Sequence, residues 1–500
     1  MKFLRQYRHA IIISSLFTVL AIIAGIFRYT HYEAAGFDLG IFTQMIKNTI
    51  NGINSANGMS LYNNMEGLSH LAIHFSPILY LIIPFYLIWQ SPITLLIVQA
   101  ILIGIGGLEI YYLANNVFKL SKKISTFVLL LFVANPIIWS LLVFDFHELA
   151  FVVPCVMMVI IGYFKKNWWL FGIGLLLSLL IKEDVTITIG IMGLVLLCIA
   201  WFKNKEHKIN KPAIIMICGA FVSIVTTILV SWKASNGLLP QVLNSVIVRY
   251  NINHSTLIGT AFFYVRHSLD IYSIGQMFAY FAPLCFLPLI CIESLEWVIP
   301  AFFVLGMAMI STWGGQHNFI DQYGTTAVPW LFTAFIIALK QKKIDIEKSL
   351  KWIAIGCGIA IVIVFFFTNL TCINELIAPN FNQTSIMAFK NLNKVVAEVP
   401  KGNDISITAN NIIVSHFISS NDAYCAKLQF GTTYSTWGYP QTITDYVLTD
   451  TNKMIAQEYS LTVTDTILHN WDLETSKELS QDSRYQLVDS VNGVDLWKLK

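Results

Sequence analysis

Long apolar segments alternate with short polar breaks over the first 370 residues of the chain. Residues 11–27, 214–230 and 353–367 each come close to the ~20 apolar residues that a membrane-spanning helix needs. The pattern predicts about eleven spans, approximately at residues 10–28, 93–117, 124–143, 149–165, 168–181, 185–202, 212–232, 273–291, 297–312, 325–340 and 352–369. We therefore expect residues 1–370 to form a polytopic, all-α membrane domain.

The basic residues between these segments predict the orientation of the chain. Five breaks, at residues 1–8, 119–123, 165–166, 203–211 and 340–351, hold 17 of the 23 Lys and Arg residues that precede residue 371. The positive-inside rule places all five in the cytoplasm. This assignment predicts a multi-pass protein of the cell membrane with a cytoplasmic N-terminus, a large first outer loop at 29–69 and an extracytoplasmic C-terminus.

The predicted membrane topology depends on residues 70–90. A full crossing there would move the basic break at 119–123 to the outside and invert the rest of the pattern. Pro77 and Pro84 interrupt the segment, and proline removes a helix hydrogen bond and kinks the axis. A re-entrant or broken segment is therefore favoured over a plain crossing, which stays the alternative.

Composition agrees with a membrane protein and excludes several other classes. Hydrophobic residues make up 56% of the chain and charged residues 12%, whereas a soluble domain carries roughly a quarter charged residues. The net charge of +3 gives no reason to expect a nucleic acid as partner. The eight cysteines contain no C-x-x-C pair, so they predict neither a disulfide framework nor a zinc site.

The composition changes near residue 371. Residues 371–500 contain 9 Lys and Arg against 14 Asp and Glu, with no segment long enough to span a membrane. Helical spacing at 386–396 precedes strand-like segments at 405–408, 426–430, 446–448 and 487–488, and a last one at 494–499 after Asn492-Gly493, a strong hairpin signal. We expect a small soluble α/β domain on the outer side.

The first outer loop contains one acidic residue in a suggestive place. Apolar residues recur at helical spacing over 42–53, which predicts an amphipathic helix lying along the membrane interface. Asp38 comes at its start and is interpreted either as a helix N-cap or as a catalytic carboxylate. The two roles are compatible, because a capping aspartate is also held in place.

A second acidic motif is FDFHE, where one predicted span ends and the next begins. Asp145, His147 and Glu148 are dense for a short turn, although such a turn needs some charge in any case. Two carboxylates and one imidazole are potential metal ligands, and this donor set suits Mg²⁺ or Mn²⁺ better than zinc.

Other polar residues fall on the same predicted outer face. Each has an ordinary explanation, as a solvated loop residue or a satisfied polar residue of the fold, beside a role in binding substrate. Lysine and arginine could meet a phosphate group. The set consists of His74, Lys182, Glu183, Asp184, Arg249, Arg266, Gln322 and Tyr323.

Several of these motifs together resemble a known family. The segments FDLGIFTQ, HFSPILYLIIPFY, FDFHE, KED and QY-x5-P are similar to a bacterial family of predicted membrane proteins classed as domain of unknown function 2079, itself similar to the GT-C-type polytopic membrane glycosyltransferases. The resemblance implies a GT-C-like bundle with an acidic residue in the first outer loop and a sugar donor carried on a polyprenyl phosphate. Asp38 matches the first acidic position, and Asp145 or Glu148 the second. The chain has a single acid at the first position where the family pattern has a pair, which weakens the expectation of a metal.

The sequence therefore favours a membrane glycosyltransferase in which Asp38 acts as the base and Asp145 and Glu148 contribute to catalysis. No cofactor follows with certainty, and the acceptor stays open. The alternative is a transporter or flippase of a polar or lipid-linked solute, for which paired repeats with mid-membrane polar residues would be expected. A scaffold or sensor that presents the outer domain is a third hypothesis.

Overall fold

The computed structural model describes most of the chain. The described residues are 2–32, 34, 36–203, 210–235, 241–250, 263–317, 322–341, 346–367, 383–410, 413–425, 443–451, 472–473 and 475–500. Two compact units divide the chain. Unit one consists of Met1–Ile22, Leu71–Leu81 and Val98–Leu370, and unit two of Ile23–His70, Ile82–Ile97 and Thr371–Lys500.

Helices account for most of the described structure. The described α-helices of six or more residues are α1 Lys2–Thr30, α2 Ile41–Ile50, α3 Ile83–Ile88, α4 Pro92–Tyr112, α5 Lys122–Val133, α6 Pro136–Phe144, α7 Val152–Lys165, α8 Trp168–Leu179, α9 Glu183–Lys203, α10 Lys211–Ala234, α11 Gln241–Tyr250, α12 Ile271–Phe281, α13 Ile292–Ile310, α14 Val328–Lys340, α15 Ile346–Phe367 and α16 Gln383–Glu398.

The multi-span prediction is confirmed in its coarse form. Within the described ranges, eight helical segments are long and apolar enough to cross a membrane: Tyr7–Thr30, Pro92–Val117, Glu148–Lys165, Glu183–Phe202, Lys211–Ala234, Ile292–Ile310, Gln322–Lys340 and Lys348–Phe365. The expected total of eleven is not confirmed. The difference comes from three predicted spans that the backbone breaks or shortens.

Each of these three departures has a local cause. The predicted span 124–143 is a pair of helices, α5 and α6, which are bent by 40° where Asn135 caps α6 ahead of its first residue, Pro136. The span predicted at 168–181 is the 12-residue helix α8. At 273–291 helix α12 ends at Phe281, and Cys285 and Phe286 adopt left-handed backbone angles.

Residues 70–90 do not form one long helix. Pro77–Ile82 is a 3₁₀ segment that leads into α3, and the whole apolar stretch Pro77–Ile88 is in the class of short helices. Twelve residues of α-helix would measure about 18 Å, well below the ~30 Å of a bilayer core. The broken form of this segment therefore agrees with the prediction.

Helices of unit one pack closely where glycine replaces a side chain. Helices α7 and α8 form a hairpin, and α9 packs against α10. A Cβ atom at Gly162 would lie 2.5 Å from the backbone nitrogen of Phe171, so only glycine allows this approach of α7 to α8. Helices α13 and α14 form another contacting pair.

Unit two contains a five-stranded sheet. Its strands are β1 Gly402–Ala409, β2 Asn421–Cys425, β3 Tyr446–Asp450, β4 Tyr485–Val491 and β5 Val494–Leu499, in the order β2-β1-β3-β5-β4. Strand β1 pairs in parallel with β2 and β3, whereas β5 pairs antiparallel with β3 and β4. The expected hairpin forms, with Asn492 and Gly493 at φ 49° and 87°. The predicted strand 426–430 lies outside the described residues.

Helix α2 differs from the interfacial helix that was predicted. Its residues Ile41–Asn48 are all buried, including the polar ones. Gln44 Nε2 donates to the Ala423 carbonyl at 2.8 Å, and Lys47 Nζ donates to the carbonyls of Ile418 and Asn421 at 3.0 and 2.8 Å. The polar face of this predicted amphipathic helix is therefore not exposed, because it is bonded to the main chain around strand β2.

Candidate active site

The turn after α6 holds Asp145 in a strained conformation. Helix α6 ends where Asp145 adopts φ 129° and ψ −171°, a region essentially restricted to glycine. Gln99 fixes both sides of the turn: its Nε2 donates to the Asp145 carbonyl at 2.6 Å, and its Oε1 accepts from the His147 amide at 3.0 Å. Non-glycine residues at such angles cluster at functional sites.

His147 and Glu148 follow directly from this turn. The His147 Nδ1 atom accepts from the Leu149 amide at 3.3 Å and so caps the short 3₁₀ helix Glu148–Phe151. The Glu148 side chain is completely buried, and its Oε2 lies 3.1 Å from His147 Nδ1. The FDFHE motif therefore places a carboxylate inside unit one rather than on a solvated loop.

Lys182 supplies the opposite charge. Its Nζ lies 3.2 Å from Glu148 Oε1, and both side chains are buried. Burial alone lowers the pKa of the Lys182 ammonium, but attraction to the nearby carboxylates, that of Glu148 foremost, outweighs burial and raises the pKa. Lys182 is therefore charged at neutral pH. The interpretation of KED as an ordinary solvated tip is wrong at this residue.

The next two residues make separate pairs at the start of α9. Glu183 Oε1 lies 2.6 Å from His74 Nδ1, with 23% and 12% of the two side chains exposed. Asp184 Oδ2 accepts from the Thr326 hydroxyl at 3.0 Å, and Asp184 Oδ1 accepts from the Val185 amide at 2.9 Å. Three consecutive residues thus bind three different parts of unit one.

The predicted cations divide into two kinds. The Arg249 guanidinium lies over the Tyr323 ring, 5.4 Å from its centroid, and interacts electrostatically with Glu183. Gln322, beside Tyr323, is buried. Arg266 is exposed on the segment before α12. Arg249 and Tyr323 are therefore linked to the charged cluster, whereas the described contacts do not connect Arg266 to it.

We use the name charged cluster for His74, Glu148, Lys182, Glu183 and Asp184. The sequence predicted these residues at one face, and the structure pairs Glu148 with Lys182 and His74 with Glu183, while Lys182 also interacts electrostatically with Glu183 and Asp184. Two further residues could not be predicted, because a single amide or hydroxyl carries no pattern: Gln99 fixes the turn before Glu148, and Thr326 binds Asp184. Sequence analysis also did not single out Glu109, an ionisable residue inside the candidate span Pro92–Val117.

Asp38 belongs to unit two. It lies in the π-helical turn Gly36–Gly40, is half-buried and precedes α2, whose N-terminal flanking residue is Gly40 without a side-chain cap. The N-cap interpretation of Asp38 for α2 is therefore wrong. Its assignment as a catalytic base stays a prediction.

The metal-ligand role predicted for Asp145, His147 and Glu148 also stays a prediction. Of all the described residues, three gather ligand atoms from His, Asp, Glu or Cys side chains within 4.8 Å of one another: His267, Asp270 and His317. This group had no motif in the sequence, because its members are up to 50 positions apart.

The model of a family of predicted membrane proteins, DUF2079, matches residues 28–496. The chain belongs to this family. No curated protein sequence matches the DUF2079 chain.

Two solved structures match the DUF2079 protein over most of its length. ArnT from Cupriavidus metallidurans, bound to undecaprenyl phosphate, is 10% identical over 97% of both chains, with a TM-score of 0.56. The Archaeoglobus fulgidus oligosaccharyltransferase in complex with zinc and sulfate is 12% identical over 97% of this chain and 73% of that one, with a TM-score of 0.38 that carries no weight. The first likeness shows a GT-C-like fold, as the sequence resemblance implied.

Proposed function

We propose that this DUF2079 protein is a GT-C-like membrane glycosyltransferase. It moves a sugar from a polyprenyl-phosphate-linked donor to an acceptor at the outer face of the cell membrane. The observation that carries the proposal is the buried charged cluster of unit one, in a protein with a GT-C-like fold. A polyprenyl phosphate donor is further supported by ArnT, whose structure contains undecaprenyl phosphate.

The reaction needs a base and a cation. An acceptor hydroxyl oxygen attacks the anomeric carbon, and the bond from that carbon to the donor phosphate oxygen breaks with its electron pair on the phosphate. The hydroxyl proton passes to a general base, for which we propose the Asp38 carboxylate. Positive charge beside the leaving phosphate stabilises the transition state.

The exposure of each cluster residue suggests its role. Glu148 and Lys182 are buried and neutralise each other, so we assign them to positioning the start of α9. Asp145 keeps the strained turn that orients Glu148. Glu183 and His74 retain exposed area, and Arg249 projects over Tyr323. These three and Asp184 are the proposed contacts of the sugar and its phosphate, with Arg249 as the phosphate ligand.

The position of the acids favours a transferase over a transporter. Glu148 and Glu183 are the first residues of their candidate spans, so they lie at helix ends. A transporter is expected to place its ionisable groups near the middle of the membrane. Glu109, in contrast, lies well inside the candidate span Pro92–Val117.

The test of this proposal is Asp38→Asn in the full-length protein. Asparagine keeps the size of the side chain but cannot accept the proton. The purified proteins are given lipid-linked sugars extracted from a strain that lacks the protein. Turnover of these sugars by the Asp38→Asn protein should be lower than by the wild type by about 10²-fold or more, the scale of general-base loss. Mass spectrometry of the lipids measures turnover, and native mass spectrometry measures binding of undecaprenyl phosphate, which should be unchanged.

The matched control is Asp404→Asn, because Asp404 is an exposed aspartate in the same unit. It should behave as the wild type in both measurements. Full turnover by the Asp38→Asn protein would remove Asp38 from the mechanism. A wild-type protein that neither consumes any extracted lipid-linked sugar nor binds undecaprenyl phosphate would refute the glycosyltransferase proposal itself.

A further inference from the structure

His267, Asp270 and His317 come from two segments of unit one that flank helices α12 and α13. Asp270 caps the N-terminus of α12, where its Oδ1 accepts from the Ser273 amide at 2.8 Å. His317 ends the short helix Gly314–His317 that follows α13. The cap uses one carboxylate oxygen of Asp270, and the second, Oδ2, has other partners.

Both imidazoles meet that oxygen. His317 Nε2 lies 2.7 Å and His267 Nδ1 3.8 Å from Asp270 Oδ2. The two rings are stacked, with centroids 3.9 Å apart and an interplanar angle of 12°. Ligands about 2.0–2.2 Å from a tetrahedral zinc ion lie roughly 3.3 Å from one another. The distances from the two histidine nitrogens to Asp270 Oδ2, 2.7 and 3.8 Å, lie on either side of this value.

The opposite ring nitrogens determine where the protons are. His267 Nε2 lies 2.8 Å from the Ser311 carbonyl, and His317 Nδ1 lies 3.3 Å from the Ala308 carbonyl. A carbonyl oxygen only accepts, so the tautomer with a hydrogen on each of these nitrogens satisfies both contacts. In that tautomer, His267 Nδ1 and His317 Nε2 have lone pairs close to the same carboxylate oxygen.

In that tautomer three electron-pair donors lie within 4.8 Å of one another, and a cation would remove their mutual repulsion once the stacked rings turn toward it. Histidine ligands of metals are fixed in this way, with the second ring nitrogen donating to a backbone carbonyl or a carboxylate. We propose that His267, Asp270 and His317 bind a divalent transition metal ion. Two imidazoles and one carboxylate suit zinc, iron, cobalt or nickel, whereas magnesium and calcium prefer oxygen ligands alone.

The competing explanation is a proton on His317, which would make an ion pair with Asp270. A metal ion would engage all three side chains, whereas a proton between His317 and Asp270 engages only two of them. Three protein ligands also leave a coordination position open. Asp270 and His267 have 31% and 23% of their side chains exposed, so an ion can enter from solvent.

The site has a consequence for Arg249. Thr312, which follows the Ser311 that binds His267, donates to the Arg249 carbonyl through both its amide and its hydroxyl, each at 2.8 Å. A metal that ties His267 to His317 therefore also fixes the segment on which the backbone of Arg249 rests. This role is structural and does not depend on the proposed sugar transfer.

The experiment is metal binding by the full-length protein, purified in detergent with a tag that contains no histidine and treated with a chelator. Titration with Co²⁺ should produce its visible absorption bands, saturating at one equivalent and bleached by Zn²⁺. Zn²⁺ should also raise the melting temperature. His267→Gln and His317→Gln should weaken Co²⁺ binding by about 10–100-fold or more, since loss of an outer partner alone has that effect.

Asp270→Asn tests metal binding in a variant that should fold normally, because asparagine caps a helix as well as aspartate does but lacks the charge. It should remain monodisperse and still lose metal affinity. His9→Gln, which changes an exposed histidine of the same unit, should bind as the wild type. Absence of Co²⁺, Zn²⁺ and Mn²⁺ binding by the wild type, or unchanged Co²⁺ binding by the His267→Gln protein, would overturn the proposal.

Discussion

Each of the two units buries a lysine, and the two ammonium groups have different kinds of partner. In unit one the Lys182 ammonium faces the Glu148 carboxylate at 3.2 Å. In unit two the Lys47 ammonium donates to two main-chain carbonyls. The pKa of Lys182 is raised because carboxylates outweigh burial, whereas burial lowers the pKa of Lys47 despite the nearby Asp422.

The difference indicates what each lysine is for. Side-chain carboxylates are ionisable, and they interact with their surroundings as charges, so the cluster around Lys182 sets an electrostatic potential. Main-chain carbonyls are fixed by the fold, so the bonds of Lys47 hold α2 to the chain around β2. We infer that the first arrangement positions the proposed site and that the second holds α2 in the fold.

The largest effect is expected for Lys182→Met. It leaves the fully buried Glu148 carboxylate without its cation, and breaking a buried pair in this way costs about 3–5 kcal/mol. The double variant Lys182→Met/Glu148→Leu removes both charges and should recover most of that loss. Thermal melting of the purified proteins measures both changes.

Activity provides the second half of this test. The double variant should be folded yet inactive in turnover of lipid-linked sugars, because the positioning of α9 is lost. A double variant that is stable and fully active would make the pair a structural feature alone. The Glu148–Lys182 pair would then have a structural role like that of Lys47.

A smaller effect is expected at Lys47. Hydrogen bonds to charged groups contribute about 1.5–3 kcal/mol, so Lys47→Met should lower stability by that order without changing turnover per folded molecule. Because both carbonyl partners are buried with Lys47, some destabilisation is expected for Lys47→Gln as well.

Lys390→Met is the control for Lys47, since Lys390 is an exposed lysine on α16 of the same unit. It should change stability by no more than about 0.5 kcal/mol. Equal melting temperatures for the Lys47→Met and Lys390→Met proteins would show that the two carbonyl bonds contribute nothing.

The smallest effect at neutral pH concerns His416. Its ring is stacked on Tyr29 and tilted against Tyr32, with centroids 4.4 and 4.1 Å away, and burial lowers its pKa to about 4. The folded state therefore keeps His416 neutral. Its stabilising contribution is complete above the unfolded pKa near 6.5 and is lost as the pH falls toward 4, by at most about 1.4 kcal/mol per pH unit.

His416→Phe keeps a ring in the stack but cannot titrate. Its melting temperature should fall less steeply than that of the wild type between pH 6.5 and 5, whereas exposed His9→Gln should follow the wild type. Parallel curves for the His416→Phe and wild-type proteins would mean that another group dominates the acid sensitivity of unit two.

Much of the fold could be predicted from sequence because its signals are local. Apolar length predicts the long spans, and the Asn492-Gly493 turn between alternating residues predicts the β4–β5 hairpin. The span count could not be predicted, because a break such as that at Cys285 and Phe286 depends on backbone angles that carry no composition signal. The burial of α2 could not be predicted either, because it requires partners more than 370 positions away.

The candidate site divides in the same way. Dense polar residues between apolar helices revealed Glu148, Lys182 and Glu183, since charge in such places is costly. Their pairing was not predictable, because Lys182 binds Glu148 rather than its own neighbours in sequence. The group of His267, Asp270 and His317 combines residues from two loops, so only the folded chain brings it together.

The hydrogen bonds of Lys47 can form only late in the synthesis of the chain. Its partner Ile418 follows 371 positions later in the chain. At 5–20 residues per second, the ribosome needs roughly 20–75 s to reach it. During that interval Lys47, Gln44 and the apolar side of α2 have been synthesised without the surface that covers them. Unit two is thus one of the last parts of the protein to close, and a chain that stops before residue 418 cannot complete it.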